Sequence, residues 1–444
     1  MKHFFKIVFL TIFIVTTYSC SDDDDTTFPP TDVDTIAAFV AANPDYSSLL
    51  AALERADLVT TLSGQGSFTV FAPDNDAFTE FLDGAALTDV PVEDLRKVLL
   101  NHVLGVEVTS SQITTGYQTN LAEVSSYIEK SGSDVTINGG VMVTTADIDR
   151  SNGVIHAVDK VIAIPTLLDF VTTDPSLSSL ASTASVNSAA VISALGNEEG
   201  DLTLLAPDND AFTALGDISG VPAVAVEQIL LNHAISGGLL SSALSTSYAS
   251  TLASYGTPSD GINLSIYINT ADGVVFNGGS TVTTADIVAG NGVLHIVDAV
   301  ITLPDVTTFA TADPTFSTLA TALGDANLVL ALQAANGTGT PEAPFTVFAP
   351  TNDAFAALAS VPTGQALVDV LTYHVIQMNN VRSSDLASVA GAVGTVNGSN
   401  VTISADPATV TGGGNTSASN IIVADVQAAN GVIHVLDQVL LPAP

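Results

Sequence analysis

The chain has 444 residues, too many for one ordinary core and enough for three domains of about 100–150 residues each. Its hydrophobic fraction of 47 % excludes a disordered chain, and its formal net charge of −37 excludes a surface that attracts nucleic acid or anionic lipid. The only long apolar run lies at the very start, so no internal segment has the length and hydropathy of a membrane span.

In chain order the first element is a leader. Lys2 and Lys6 precede or enter an apolar run at 7–15, too short for a bilayer but suited to the core of a secretory signal peptide. "TTYSC" then ends in Cys20, the only cysteine, so a disulfide within the chain is impossible and an exposed thiol would be an oxidation liability. Residues 1–19 and this cysteine resemble a bacterial lipoprotein signal, which implies cleavage before Cys20 and its lipidation. Several acyl chains on one residue hold a protein stably on a membrane. Residues 20–32 continue as an acidic tether, "SDDDDTTFPPTD", whose flexible length averages roughly 20 Å. Acid runs directly after the cysteine resemble the sorting signal of Bacteroidota-type surface lipoproteins. That resemblance implies an exported chain, lipid-anchored to the outer membrane and facing the exterior.

Loss of the leader removes two lysines and takes the charge from −37 to −39. Asp supplies 36 of the 46 acids. Such a surface favours solubility, cations and basic partners; no cofactor is expected, and weak, diffuse Ca²⁺ binding is the alternative.

The remainder repeats itself three times. "SNGVIHAVDKVI" at 151–162, "GNGVLHIVDAVI" at 290–301 and "ANGVIHVLDQVL" at 429–440 place His156, His295 and His434 at two equal intervals of 139 residues. Earlier in each unit stand "LLNHVLG", "LLNHAIS" and "LTYHVIQ", with His102, His233 and His374. Each unit has a Pro-containing turn before a helix-like run, at Asn43, Asp174 and Asp313. The expected units are therefore 33–165, 166–304 and 305–444.

Within a unit the periodicity changes. Apolar residues at helical spacing, such as Leu49, Leu50, Leu53 and Leu58, predict helices in the first half. The second half alternates, with Asn138-Gly139 and Asn152-Gly153 predicting tight hairpin turns. The expectation is an α+β unit with an antiparallel sheet core, and a parallel nucleotide-binding fold is disfavoured.

A third recurring block lies within the first half: "FTVFAPDNDAF", "LTLLAPDNDAF" and "FTVFAPTNDAF". Together with the Tyr-His or Asn-His step and the closing "NGVIHVLD", it resembles the fasciclin (FAS1) domain over all three units. That resemblance implies a wedge-shaped fold of strands flanked by helices, used for adhesion or binding and without established catalysis. In animal relatives the Tyr-His step is associated with binding. The matching residues here are Tyr373 and His374, with His102 and His233 following an asparagine in the other units.

The acidic block itself is not a calcium loop. Counting from Asp74, the fifth, sixth and twelfth positions hold Phe78, Thr79 and Ala85, where such a loop needs an acid, Gly and Glu. A strand, a proline and an Asp, Asn or Thr before an apolar phase instead predict a helix start. Asp74, Asp208 and Thr351 are the expected N-caps, because a hydroxyl can replace a carboxylate there but not on a metal. Asp76, Asp210 and Asp353 follow in the first turn, where the helix dipole favours acids. His156, His295 and His434 sit in strands between apolar residues and read as core histidines. The two histidines of a unit are 54 to 62 residues apart and no second cysteine exists, so no metal site is expected.

No nucleophile elbow, zinc-protease helix or phosphate loop is present, and no catalytic residue is expected. The leading expectation is a lipid-anchored surface protein that binds cells, matrix protein or polysaccharide. The alternatives are an accessory glycan-binding or uptake lipoprotein and an acidic spacer. Absent Trp and only eight Tyr leave few flat platforms for sugars.

Overall fold

The computed structural model describes residues 34–256 and 261–444. The leader, Cys20 and the acidic tether lie outside the described residues.

The first unit opens with short helices at Ile36–Ala42, Ser47–Arg55 and Val59–Ser63, followed by Asn75–Leu82 and Val92–Asn101. Its seven strands are β1 (Phe68–Pro73), β2 (Val103–Leu104), β3 (Gly116–Thr119), β4 (Ser125–Ser131), β5 (Asp134–Ile137), β6 (Val141–Arg150) and β7 (Gly153–Val158). They lie in the order β2-β1-β7-β6-β5-β4-β3. The third unit repeats this order. The second closes into a barrel because Ile235 and Thr251, on the strands equivalent to β2 and β3, also pair.

Helices in the first half and strands in the second make each unit α+β. Antiparallel pairing holds throughout the first unit's sheet except between β1 and β7, which run parallel from Phe68↔Gly153 to Pro73↔Val158. Both strands are covered on each face, and every residue of β7 is buried. Strands of that kind read as continuous apolar runs without alternation.

The pair divides two cores. Val70, Ala72 and Ile155 face the helices and pack with Ile36, Leu49, Leu53 and Leu95. Phe71 and Val158 face the interior of the curled sheet, with Leu104, Ile128 and Ile137. The two-residue period of a strand explains how neighbours on β1 serve different cores.

The two Asn-Gly steps have different roles. Asn138 (φ 48°) and Gly139 (φ 68°) make the predicted turn between β5 and β6. The step at 152–153 does not: Arg150 pairs with Gly153, so Ser151 and Asn152 form the loop and Gly153 begins the strand. The residue must be glycine because a Cβ there would lie 2.0 Å from the Phe68 carbonyl oxygen. Asn152 is buried; its amide donates to Leu62 and Gly64 carbonyls and its oxygen accepts from Ile36 N–H. Asn291 and Asn430 make the same three bonds. One side chain thus ties the start of the helical half to the last hairpin.

Candidate functional site

The recurring acidic block joins β1 to the helix Asn75–Leu82. Asp74 Oδ1 accepts from Ala77 N–H at 2.9 Å, Asp208 Oδ1 from Ala211 N–H at 2.8 Å, and Thr351 Oγ1 from Ala354 N–H at 3.3 Å. Each caps an otherwise free helical donor. The asparagine that follows was not singled out from the sequence, although it recurs without change in all three copies. Asn75 Oδ1 accepts from Ser48 N–H at 2.9 Å, and its amide donates to the Pro44 carbonyl at 2.9 Å. Asn209 and Asn352 repeat this clamp on the Pro-containing turn of their own units.

The early histidines lie at the end of the helix that precedes β2 and its equivalents. Their Nδ1 atoms donate to the carbonyls of Val98, Ile229 and Val370 at 2.7 Å. Their Nε2 atoms accept from the N–H groups of Ile162, Ile301 and Leu440 at 2.8 Å. This network assigns the proton to Nδ1. Burial pushes all three down to about 4, so the rings are neutral at pH 7. Each therefore pins the segment that leaves its unit.

These contacts correct the expectation that Tyr373, His374, His102 and His233 touch a ligand. Their exposures are 0, 2, 2 and 1 %, and both nitrogens of each imidazole are used inside the unit. Tyr373 donates its hydroxyl to the Asn400 carbonyl at 2.6 Å and accepts from Gly413 N–H at 2.9 Å. Asn101 occupies the same place in the first unit and donates to the carbonyls of Ile162 and Ala163.

The late histidines lie on β7 and its equivalents, fully buried. His156 Nε2 donates to the Val108 carbonyl at 3.0 Å and Nδ1 accepts from Asp147 N–H at 3.2 Å. His295 makes the same pair of bonds with Leu239 and Asp286. His434 Nε2 donates to the Val381 carbonyl, while its Nδ1 has no hydrogen-bond partner among the described residues. Burial lowers His295 and His434.

Beside each late histidine is an aspartate with positive φ: Asp147 (58°), Asp286 (63°) and Asp425 (62°). Each sits at a register shift of its hairpin. The carboxylates accept from both the N–H and the hydroxyl of Ser110, Ser241 and Ser383. Bonds from Ser110 hold Asp147 below the usual carboxylate range. Serine, aspartate and histidine thus meet, but in the wrong order for nucleophilic catalysis. The imidazole nitrogens of His156 and His295 face a backbone carbonyl and a backbone N–H, so neither is aligned on the serine oxygen.

Among the described residues no group of three or more His, Cys, Asp or Glu side chains could hold a metal ion. The apolar hollow beside His374, lined by Leu319, Leu323, Phe348 and Ile433, has a volume of only about 20 Å³. Small-molecule sites usually need about 300 Å³ or more. The recurring residues build and align the units.

The fold is therefore that of a tandem repeat of α+β units in which histidines are framework groups. Residues 44–165, 176–304 and 314–442 match the fasciclin domain, and the chain belongs to that family. Among curated proteins it is similar to transforming growth factor-beta-induced protein ig-h3 of Sus scrofa, 29 % identical over 437 residues. That alignment covers 92 % of this chain and 57 % of the relative, so the chain spans little more than half of that protein. Protein sll1483 of Synechocystis is 43 % identical over 134 residues, covering 30 % of this chain and 74 % of the relative. Among solved structures, a FAS1 domain pair from the insect cell adhesion molecule fasciclin I covers 56 % of this chain and 92 % of the pair at 18 % identity, with a TM-score of 0.37.

Proposed function

We propose that the chain is a surface adhesion protein, lipid-anchored through Cys20, that presents three fasciclin domains to cells, matrix protein or polysaccharide. The observation that carries this reading is the match of three fasciclin domains along the chain, together with recurring side chains committed to internal hydrogen bonds. In this reading it acts by binding, as the fasciclin domain match supports. The partner meets exposed strands and loops whose charge is mostly negative, so cations or basic groups help to bridge it.

The test is to coat beads with residues 21–444 and score their clumping and their capture of whole cells and matrix polysaccharides, with Ca²⁺ and with chelator. Capture or clumping above uncoated beads is expected, and its loss on chelation assigns bridging to the cation. Beads that stay inert in every condition sink the adhesion reading.

A further inference from the structure

The units meet through two junctions built from the same parts. At the first, Tyr117 of β3 packs on Tyr127 of β4 with ring centroids 5.0 Å apart, and edge-on against Phe170 of the next unit at 5.3 Å. Its hydroxyl donates to Asp174 Oδ2 at 2.9 Å. At the second, Tyr248 packs on Tyr267 and on Phe309 of the third unit, and donates to Asp313 Oδ2 at 2.8 Å. A backbone bond accompanies each pair: Val288 N–H donates to Ser125 Oγ at 3.0 Å, and Gln427 N–H to Ser265 Oγ at 2.9 Å.

Close approach at the adjacent turn completes the match. A Cβ on Gly139 would meet Thr173 at 3.0 Å, and one on Gly278 would meet Ala312 at 3.1 Å. Burial follows the same division. Phe170 and Phe309 are fully buried and Ile287 and Val426 nearly so, whereas Phe39 and Ile148, at the equivalent places in the first unit, are half-buried. Burial and the nearby carboxylate also raise the Tyr117 and Tyr248 phenols far above their ordinary range, so both remain donors.

The outer faces depart from the pattern. Asn43 stands where Asp174 and Asp313 stand, and Arg150 replaces Ala289 and Ala428, its guanidinium 4.5 Å above the Phe39 ring. At the far end, Ala392 and Thr402 pair where the tyrosines pair in the other units. The loop after Thr411 folds back there instead, with Gly414 N–H donating to the Leu441 carbonyl.

We propose that the two junctions are a repeated, specific interface whose partner is the next unit of the same chain, locking the three domains into one body. The lock fixes the spacing at which the units meet a ligand, whatever that ligand is. The segment between units is held from both sides: Ile162 N–H by His102, and the Pro165 carbonyl by Gly290 N–H of the second unit.

Amide hydrogen exchange on the full chain tests this, comparing the natural sequence with Tyr117→Ala and Tyr248→Ala. The third unit carries Ala392 at this place, so the substitution is compatible with a folded unit. Protection at Val288 is expected to fall at least tenfold in Tyr117→Ala, and at Gln427 in Tyr248→Ala, while Ile155 and Leu294 in the cores keep theirs. Val288 and Gln427 exchanging at the rate of free amides in the natural chain would overturn the proposal. So would unchanged protection in both variants.

Discussion

A buried imidazole at the end of the helix before the second strand couples each unit to pH. His102, His233 and His374 titrate near 6.5 when unfolded and are pushed by burial down to about 4 when folded. The unfolded chain therefore binds protons that the folded chain refuses, and stability present above pH 6.5 is lost as the pH falls toward 4. Each histidine contributes a loss of about 3 kcal/mol across that window. Urea midpoints measured from pH 7 to pH 4 should fall steeply in the natural chain. In His233→Gln, which supplies an amide donor and acceptor without a proton site, the second unit should be weaker at pH 7 but fall less with acid. An equal slope in the two proteins would remove the histidine from the account. The caps act over a shorter range: Asp74 and Thr351 do the same work, and a cap is worth about 1 kcal/mol.

At the scale of elements, the parallel pair at the centre of each unit depends on a missing side chain. A Cβ on Gly292 would lie 2.1 Å from the Leu202 carbonyl oxygen, and one on Gly431 would lie 2.3 Å from that of Phe345. The neighbour is backbone in a two-sided core and cannot move aside. Gly292→Ala should therefore cost about 3 kcal/mol or more, against about 1–2 kcal/mol for Gly84→Ala, where only the positive φ resists and the surroundings are open. Urea unfolding of both variants checks this, and equal costs would contradict the steric argument. The helical half, the Asn138-Gly139 turn and the N-cap positions were legible in the sequence because each is a pattern within a few residues. The parallel pairing was not, since Phe68 and Gly153 are far apart and strands covered on both faces lose their alternation. Burial of His102 was equally hidden, because its partner Ile162 lies 60 residues away. One signal was available and missed: Asn75, Asn209 and Asn352 never vary, although the cap beside them does.

For the whole molecule the distribution of charge matters more than its sum. The second unit, 166–304, carries 13 acids and no Lys or Arg, while the first holds six of the nine cations. Among the described residues the Arg and Lys ion pairs are Arg150–Asp34, Lys160–Glu80 and Arg382–Asp425, and none belongs to the second unit. Its acids therefore repel one another without local compensation, an effect that favours the expanded state and is weakened by salt. Screening shortens from about 30 Å at 0.01 M to about 3 Å at 1 M, so most of this repulsion disappears over that range. Calorimetry of the full chain in 0.01 M and then 1 M NaCl should show the transition of the second unit rising by several degrees, and by more than that of the first. The locked junctions spread part of the gain to the third unit, because a neighbour that remains folded keeps Asp313 and Phe309 covered. A transition that stays fixed or falls with salt would mean that the carboxylates are already neutralised, by bound cations or by a basic partner.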